Sequence, residues 1–102
     1  MARKINKEEL TMANVIEEKI KAGALVVDVR TEDEFMDEAF PGAVNIPLGV
    51  LQQQLNKLEP KDRPVVLYCA SGARSAMAAR ILKMAGWKDV INAGGLYDMP
   101  GM

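Results

Sequence analysis

Apolar residues fall along this chain in two rhythms, a helical spacing and short unbroken runs, and the two take turns. Leu10, Ala13, Ile16 and Ile20 recur at the spacing of one helix face. Asn6-Lys7-Glu8-Glu9 ahead of them reads as an N-cap with a glutamate three residues on, and Gly23 suits the position just past the helix end. Ala24-Leu25-Val26-Val27 is a run of strand length, suited to burial on both faces. Thr31-Glu32-Asp33-Glu34 is a second capping box and predicts a short helix through about Ala39, with a turn at Pro41-Gly42. Ala43-Val44-Asn45-Ile46 predicts a second strand. Leu51, Leu55 and Leu58 mark another helix, stopped before Pro60. After the turn Lys61-Asp62-Arg63-Pro64, the run Val65 to Tyr68 predicts a third strand. Ser75 to Ala85 predicts a helix with Met77, Ile81 and Ala85 on its buried face, flanked by Ala78 and Leu82, and Gly86 at its end. Trp87 to Ile91 predicts the last strand, and Gly94-Gly95 turns the chain into a tail carrying Leu96 and Tyr97.

Short apolar strands alternating with helices imply a parallel sheet covered on both sides. Ligands of such sheets collect at the carboxyl ends of the strands. Asp28 and Cys69 both stand there, which places them on one crevice.

Composition narrows the class. The 102 residues make one domain, 1–102, with 49% apolar and 26% charged residues, the balance of a water-soluble globular chain. A net charge of −1 gives no footing for nucleic acid. No apolar run approaches the ~20 residues of a membrane span, so no membrane partner is expected. Met1 to Asn6 lacks the apolar core of a secretory signal, and a lone cysteine cannot close an intrachain disulfide. A reducing compartment, the cytoplasm, is the expectation. The absence of histidine excludes Ser-His-Asp and Cys-His catalysis and imidazole metal sites, and one thiolate cannot build a structural zinc site. Chemistry is left to a thiolate, carboxylates, Lys, Arg, hydroxyls and backbone dipoles.

The lone cysteine, Cys69, stands in Tyr68-Cys69-Ala70-Ser71-Gly72-Ala73-Arg74-Ser75, between a strand and a helix start. Small residues let a loop close around a ligand, and the N–H groups of a helix start favour an anion. Both lower a thiol's pKa, so Cys69 is read as a nucleophile in a loop opening on the thiol, in preference to an inert buried cysteine.

Two stretches resemble the rhodanese (sulfurtransferase) family in its single-domain form. The first is Asp28-Val29-Arg30-Thr31, with Glu34-Phe35 and then Pro41-Gly42-Ala43-Val44-Asn45-Ile46-Pro47-Leu48; the second is Tyr68 to Ser75. Gly94-Gly95 matches the family's last turn. The resemblance implies a rhodanese-like α/β fold, a five-stranded parallel sheet with helices on both faces. It also implies transfer of a sulfane sulfur through a Cys69 persulfide, with no further cofactor. The donor would be a small anion such as thiosulfate, and the acceptor cyanide or a thiol, a thioredoxin-like protein among the candidates. Glu38-Ala39-Phe40 stands where relatives commonly have Gly-His-Ile, and Ala70 where many have a bulkier or basic residue.

Within this frame the N–H groups from Ala70 to Ser75 are expected to hold the sulfur's charge, with Gly72 permitting the turn and Arg74 adding a cation. Arg74 is favoured as an anion ligand over a solvated helix-terminal residue, because a cation at a helix N-terminus opposes the macrodipole. Ser75 is read as an N-cap before a catalytic hydroxyl, and Ser71 stands evenly between donating to sulfur and stabilising the turn. Arg30 is read first as the partner of Glu34 or another carboxylate, and second as a substrate ligand. Asp28 is read as capping a neighbouring helix or fixing the loop through hydrogen bonds. Two other functions compete: a sulfur-carrier or regulatory module with little activity on free thiosulfate, and a Cys-dependent phosphatase or arsenate reductase. Phosphatase loops of this kind hold five residues between Cys and Arg. Here Ala70 to Ala73 are four, a smaller cradle.

Overall fold

The computed structural model describes residues 6–102; the Met1–Ile5 part of the N-terminal reading lies outside the described residues. Helix α1 (Lys7–Lys21) opens as its sequence dictates: Asn6 Oδ1 accepts from the Glu9 N–H at 2.8 Å. Strand β1 (Leu25–Asp28) leads to helix α2 (Glu32–Asp37), whose Thr31–Glu34 capping box is complete in both directions. Strand β2 (Val44–Asn45) follows, then a 3-10 segment (Leu48–Leu58), strand β3 (Val65–Cys69), helix α3 (Ala73–Met84), strand β4 (Val90–Gly95) and a short 3-10 turn (Leu96–Asp98). No helix among the described residues is long and apolar enough to cross a membrane.

The strands lie in the order β2-β1-β3-β4, all parallel. Among the described residues the sheet has four strands, not five. Each of the four strand segments read from the sequence overlaps one of them, the last only at Val90 and Ile91. β3 is buried along its whole length, so its alternation feeds two cores. Val65, Leu67 and Cys69 face α3 and the 3-10 segment, among Leu51, Leu58, Ala78, Leu82 and Trp87. Val66 and Tyr68 face α1 and the tail, among Ile16, Val26, Leu96 and Met99.

Four local readings are corrected. The segment after Pro47 winds as 3-10 helix with a break at Gln54 (φ −122°, ψ 18°), and Leu51 and Leu58 both reach the core from it. β4 begins at Val90, three residues late: Trp87 is tied back by its N–H to the Leu82 carbonyl, and β3 draws the low-propensity Asn92-Ala93-Gly94-Gly95 into the sheet. Helix α3 starts at Ala73, with Gly72 as its N-cap, so Ser75 is inside the first turn and caps nothing. Met77 is half exposed; the buried face of α3 is Ser75, Ala78, Ala79 and Leu82, small residues that let the helix sit close to the sheet.

Candidate active site

Strand alternation aims Cys69 toward α3, and the turn that follows brings the chain back over it. Gly72 sits at φ +101°, a conformation that glycine adopts without strain. This fold of the backbone points N–H groups at the sulfur: Gly72 donates to Cys69 Sγ at 3.0 Å and Ser75 at 3.4 Å. The Ser75 hydroxyl lies 3.4 Å from the same sulfur. Ala70, Ser71 and Ala73 form an exposed rim. Of the amides expected to face the sulfur, those of Gly72 and Ser75 bond it and that of Ser71 adds to its stabilisation. The Ser71 side chain is exposed.

Burial pushes the Cys69 thiol up. The Ser75 hydroxyl and the N–H groups of Ser75, Gly72 and Ser71 outweigh it, bringing the pKa from 9.0 down to about 7. The residue is only 1% exposed, so the sulfur is the floor of the loop and not its opening, as the sequence had suggested. Neighbouring backbone closes the space: at Gly95 a Cβ would lie 2.2 Å from the Ala70 carbonyl oxygen, so only glycine fits against the loop.

The Ser75 hydroxyl has one proton and several acceptors. Its nearest is Asn92 Oδ1 at 2.6 Å, with the Gly72 carbonyl at 3.2 Å. Asn92 is itself fixed, donating to the Gly72 carbonyl and accepting from the Gly94 N–H. A neutral thiol competes poorly for that proton, whereas a thiolate draws it strongly. Ser75→Ala therefore raises the thiol's pKa. Titrating the thiolate by its ultraviolet absorbance gives a midpoint near 7 in the parent, with thiolate accumulating as pH rises. The Ala variant shifts that midpoint upward; an unmoved midpoint assigns the whole shift to the amides.

The two arginines are both held by carboxylates. Arg30 is 7% exposed and donates to Asp28 through Nε (3.0 Å to Oδ1) and Nη2 (2.6 Å to Oδ2), and again from Nη2 to the Glu38 carbonyl at 2.6 Å. Its guanidinium lies 5.5 Å from the Tyr68 ring centroid. Asp28 is fully buried and also accepts from the Arg30 N–H at 2.8 Å. It shares a sheet face with Val26 and Tyr68, opposite the Cys69 face, so the two do not line one crevice. Arg30 is thereby engaged within the fold, and its carboxylate partner is Asp28, not Glu34.

Glu34 goes to Arg74 instead. The pair is bidentate, Nη1 to Oε1 at 2.7 Å and Nη2 to Oε2 at 3.0 Å. Arg74 and the Thr31 N–H together hold the Glu34 carboxyl at about 2, well below its ordinary 4.5. The cation that the sequence assigned to an anionic ligand thus has an internal one. Sequence reasoning did not find this role for Glu34, although its spacing from Thr31 had singled it out as a cap.

A strand, a thiol under inward amides and a helix start form a cysteine-centred loop on a parallel α/β sheet. The Rhodanese-like domain profile matches residues 12–98, and the chain belongs to that family. It is 35% identical over 91 residues to the thiosulfate sulfurtransferase PspE of Escherichia coli, covering 88% of each chain. It is 42% identical over 77 residues to YrkF of Bacillus subtilis, a candidate sulfur carrier; the match takes in 74% of this chain but 41% of that protein. A solved rhodanese with anions from E. coli superposes with a TM-score of 0.73 at 34% identity, over 76% of this chain and 93% of the other.

Proposed function

We propose that the protein is a sulfurtransferase in which Cys69 carries a sulfane sulfur as a persulfide. The observation that supports this most is the pair of main-chain N–H groups, from Gly72 and Ser75, on the Cys69 sulfur. They favour the thiolate now and would favour a persulfide anion later, without a histidine. The Cys69 thiolate attacks the outer sulfur of thiosulfate; the S–S bond to the sulfonate breaks and sulfite leaves with its electron pair. Cys69 then bears –S–S⁻, and the total charge of −3 is unchanged across the step, by the charges of these ions. Cyanide, or an acceptor thiolate such as that of a thioredoxin-like protein, takes the terminal sulfur and restores the thiolate. No cofactor enters, and a reducing compartment such as the cytoplasm suits a lone cysteine.

Incubation with thiosulfate, followed by mass spectrometry of the intact protein, tests the reading. The expected result is a gain of one sulfur atom, absent from Cys69→Ser and removed by cyanide. No gain with thiosulfate, but a gain from a persulfide-loaded protein, assigns the chain to the carrier role that its likeness to YrkF raises. Hydrolysis of an aryl phosphate that disappears in Cys69→Ser overturns both in favour of a phosphatase. The four-residue spacing to Arg74 weighs against that outcome.

A further inference from the structure

Arg74 is the one cation in the Cys69 loop, residues 69–75. It stands close enough to Cys69 that a charge on the sulfur favours its protonated form. A free arginine there would meet a dianionic donor at the rim. Glu34 occupies both of its outer nitrogens, as described above. The Glu34 carboxylate is not a loose surface group, because Oε1 also accepts from the Thr31 N–H and hydroxyl, each at 3.1 Å. It is therefore oriented by the start of α2 before any donor arrives. A further carboxylate stands beside the loop: Asp98 accepts from the Gly95 N–H at 2.8 Å, and Gly95 abuts Ala70.

A dianion entering this rim finds the cation neutralised at short range and carboxylates nearby. A donor of lower charge gives up less by the same neutralisation, since the attraction to Arg74 and the repulsion from Glu34 scale with donor charge. We infer that Glu34 sets donor preference: by holding Arg74 bidentately it handicaps dianionic donors such as thiosulfate and leaves the site better suited to donors of lower charge, such as persulfides. This rests on the sulfurtransferase reading above and names the donor class for the same site.

The test compares two donors that hand over a terminal sulfur alike. Thiosulfate is a dianion that leaves sulfite; methanethiosulfonate is a monoanion that leaves methanesulfinate, with the same S–S bond made and the same S–S bond broken. Glu34→Gln removes the charge and keeps an oxygen for the Thr31 cap, which glutamine serves as well. In Glu34→Gln the ratio of kcat/KM for thiosulfate to that for methanethiosulfonate rises about fivefold, the scale of a partly exposed ion pair. In an Arg74→Gln background the same substitution raises the ratio less, because only the direct repulsion from Glu34 is relieved and no cation is freed. A merely structural loss in Glu34→Gln moves both donors together and leaves the ratio unchanged, which overturns the inference. So does a rise that is just as large without Arg74. If neither donor loads sulfur onto parent Cys69, the sulfurtransferase reading itself falls; if both load and the ratio stays put, only the role of Glu34 does.

Discussion

Serine in place of Cys69 brings sulfur transfer down to the uncatalysed rate and leaves the fold standing. The site lowers the thiol's pKa to about 7, but the same amides cannot ionise an alcohol near neutral pH. Oxygen also forms no persulfide, so covalent catalysis is lost altogether and not merely slowed. The replacement hydroxyl still finds the Gly72 N–H, which was 3.0 Å from the sulfur, so no buried donor is orphaned. A stability change within about 1 kcal/mol is expected, the scale of one exchanged hydrogen bond. Cyanolysis rates and thermal unfolding, measured on one preparation, check both halves. Transfer that survives the substitution overturns the assignment of Cys69 as nucleophile.

Asp28→Ala does the reverse, striking the fold first. It strips Arg30 of its carboxylate in a place where the arginine is 7% exposed and Asp28 fully buried. Breaking a buried ion pair from one side costs about 3–5 kcal/mol, because a charge is left without its partner. A domain has only about 5–15 kcal/mol in all. The urea midpoint should fall steeply. Removing both partners, as Asp28→Ala with Arg30→Met, should recover part of the loss, since the second change takes away the stranded charge. A single-variant loss under about 1 kcal/mol would show that Arg30 is sustained without Asp28, by the Glu38 carbonyl and the Tyr68 ring.

The strands and the thiol loop were legible because each is written locally. The apolar runs Leu25 to Val27 and Val65 to Tyr68 are short and almost fully apolar, the mark of strands covered on both faces, and the small residues after Tyr68 marked the loop that holds Cys69. The caps at Asn6 and Thr31 were readable for the same reason, as each lies within one helical turn. What the sequence hid was set by contacts far apart in the chain. Glu34 and Arg74 are forty positions apart and meet only after the sheet has formed. Which carboxylate Arg30 would take was open among several until the chain's turn after β1 placed its own Asp28 in reach. Local signals also misled. Ser75 has a cap's chemistry, but Gly72 already starts the helix, which turns that hydroxyl inward to the sulfur. Met77 fits the periodicity, yet the closeness of α3 to the sheet admits Ala78 and Ala79 and leaves the methionine outside. The likeness to relatives carried a fifth strand that the described residues do not contain.

The contact between Gly95 and Ala70 reaches beyond its own two residues. The cradle around Cys69 is moulded from outside by the end of β4, where the register slips past Ala93. Transplanting the six residues after Cys69 into another scaffold would carry over the letters of the cradle but not its die. Widening it by one residue would likewise require the neighbouring strand's end to be re-laid. Loop and strand terminus are one casting, and any change in the size of anion admitted has to be made in both at once.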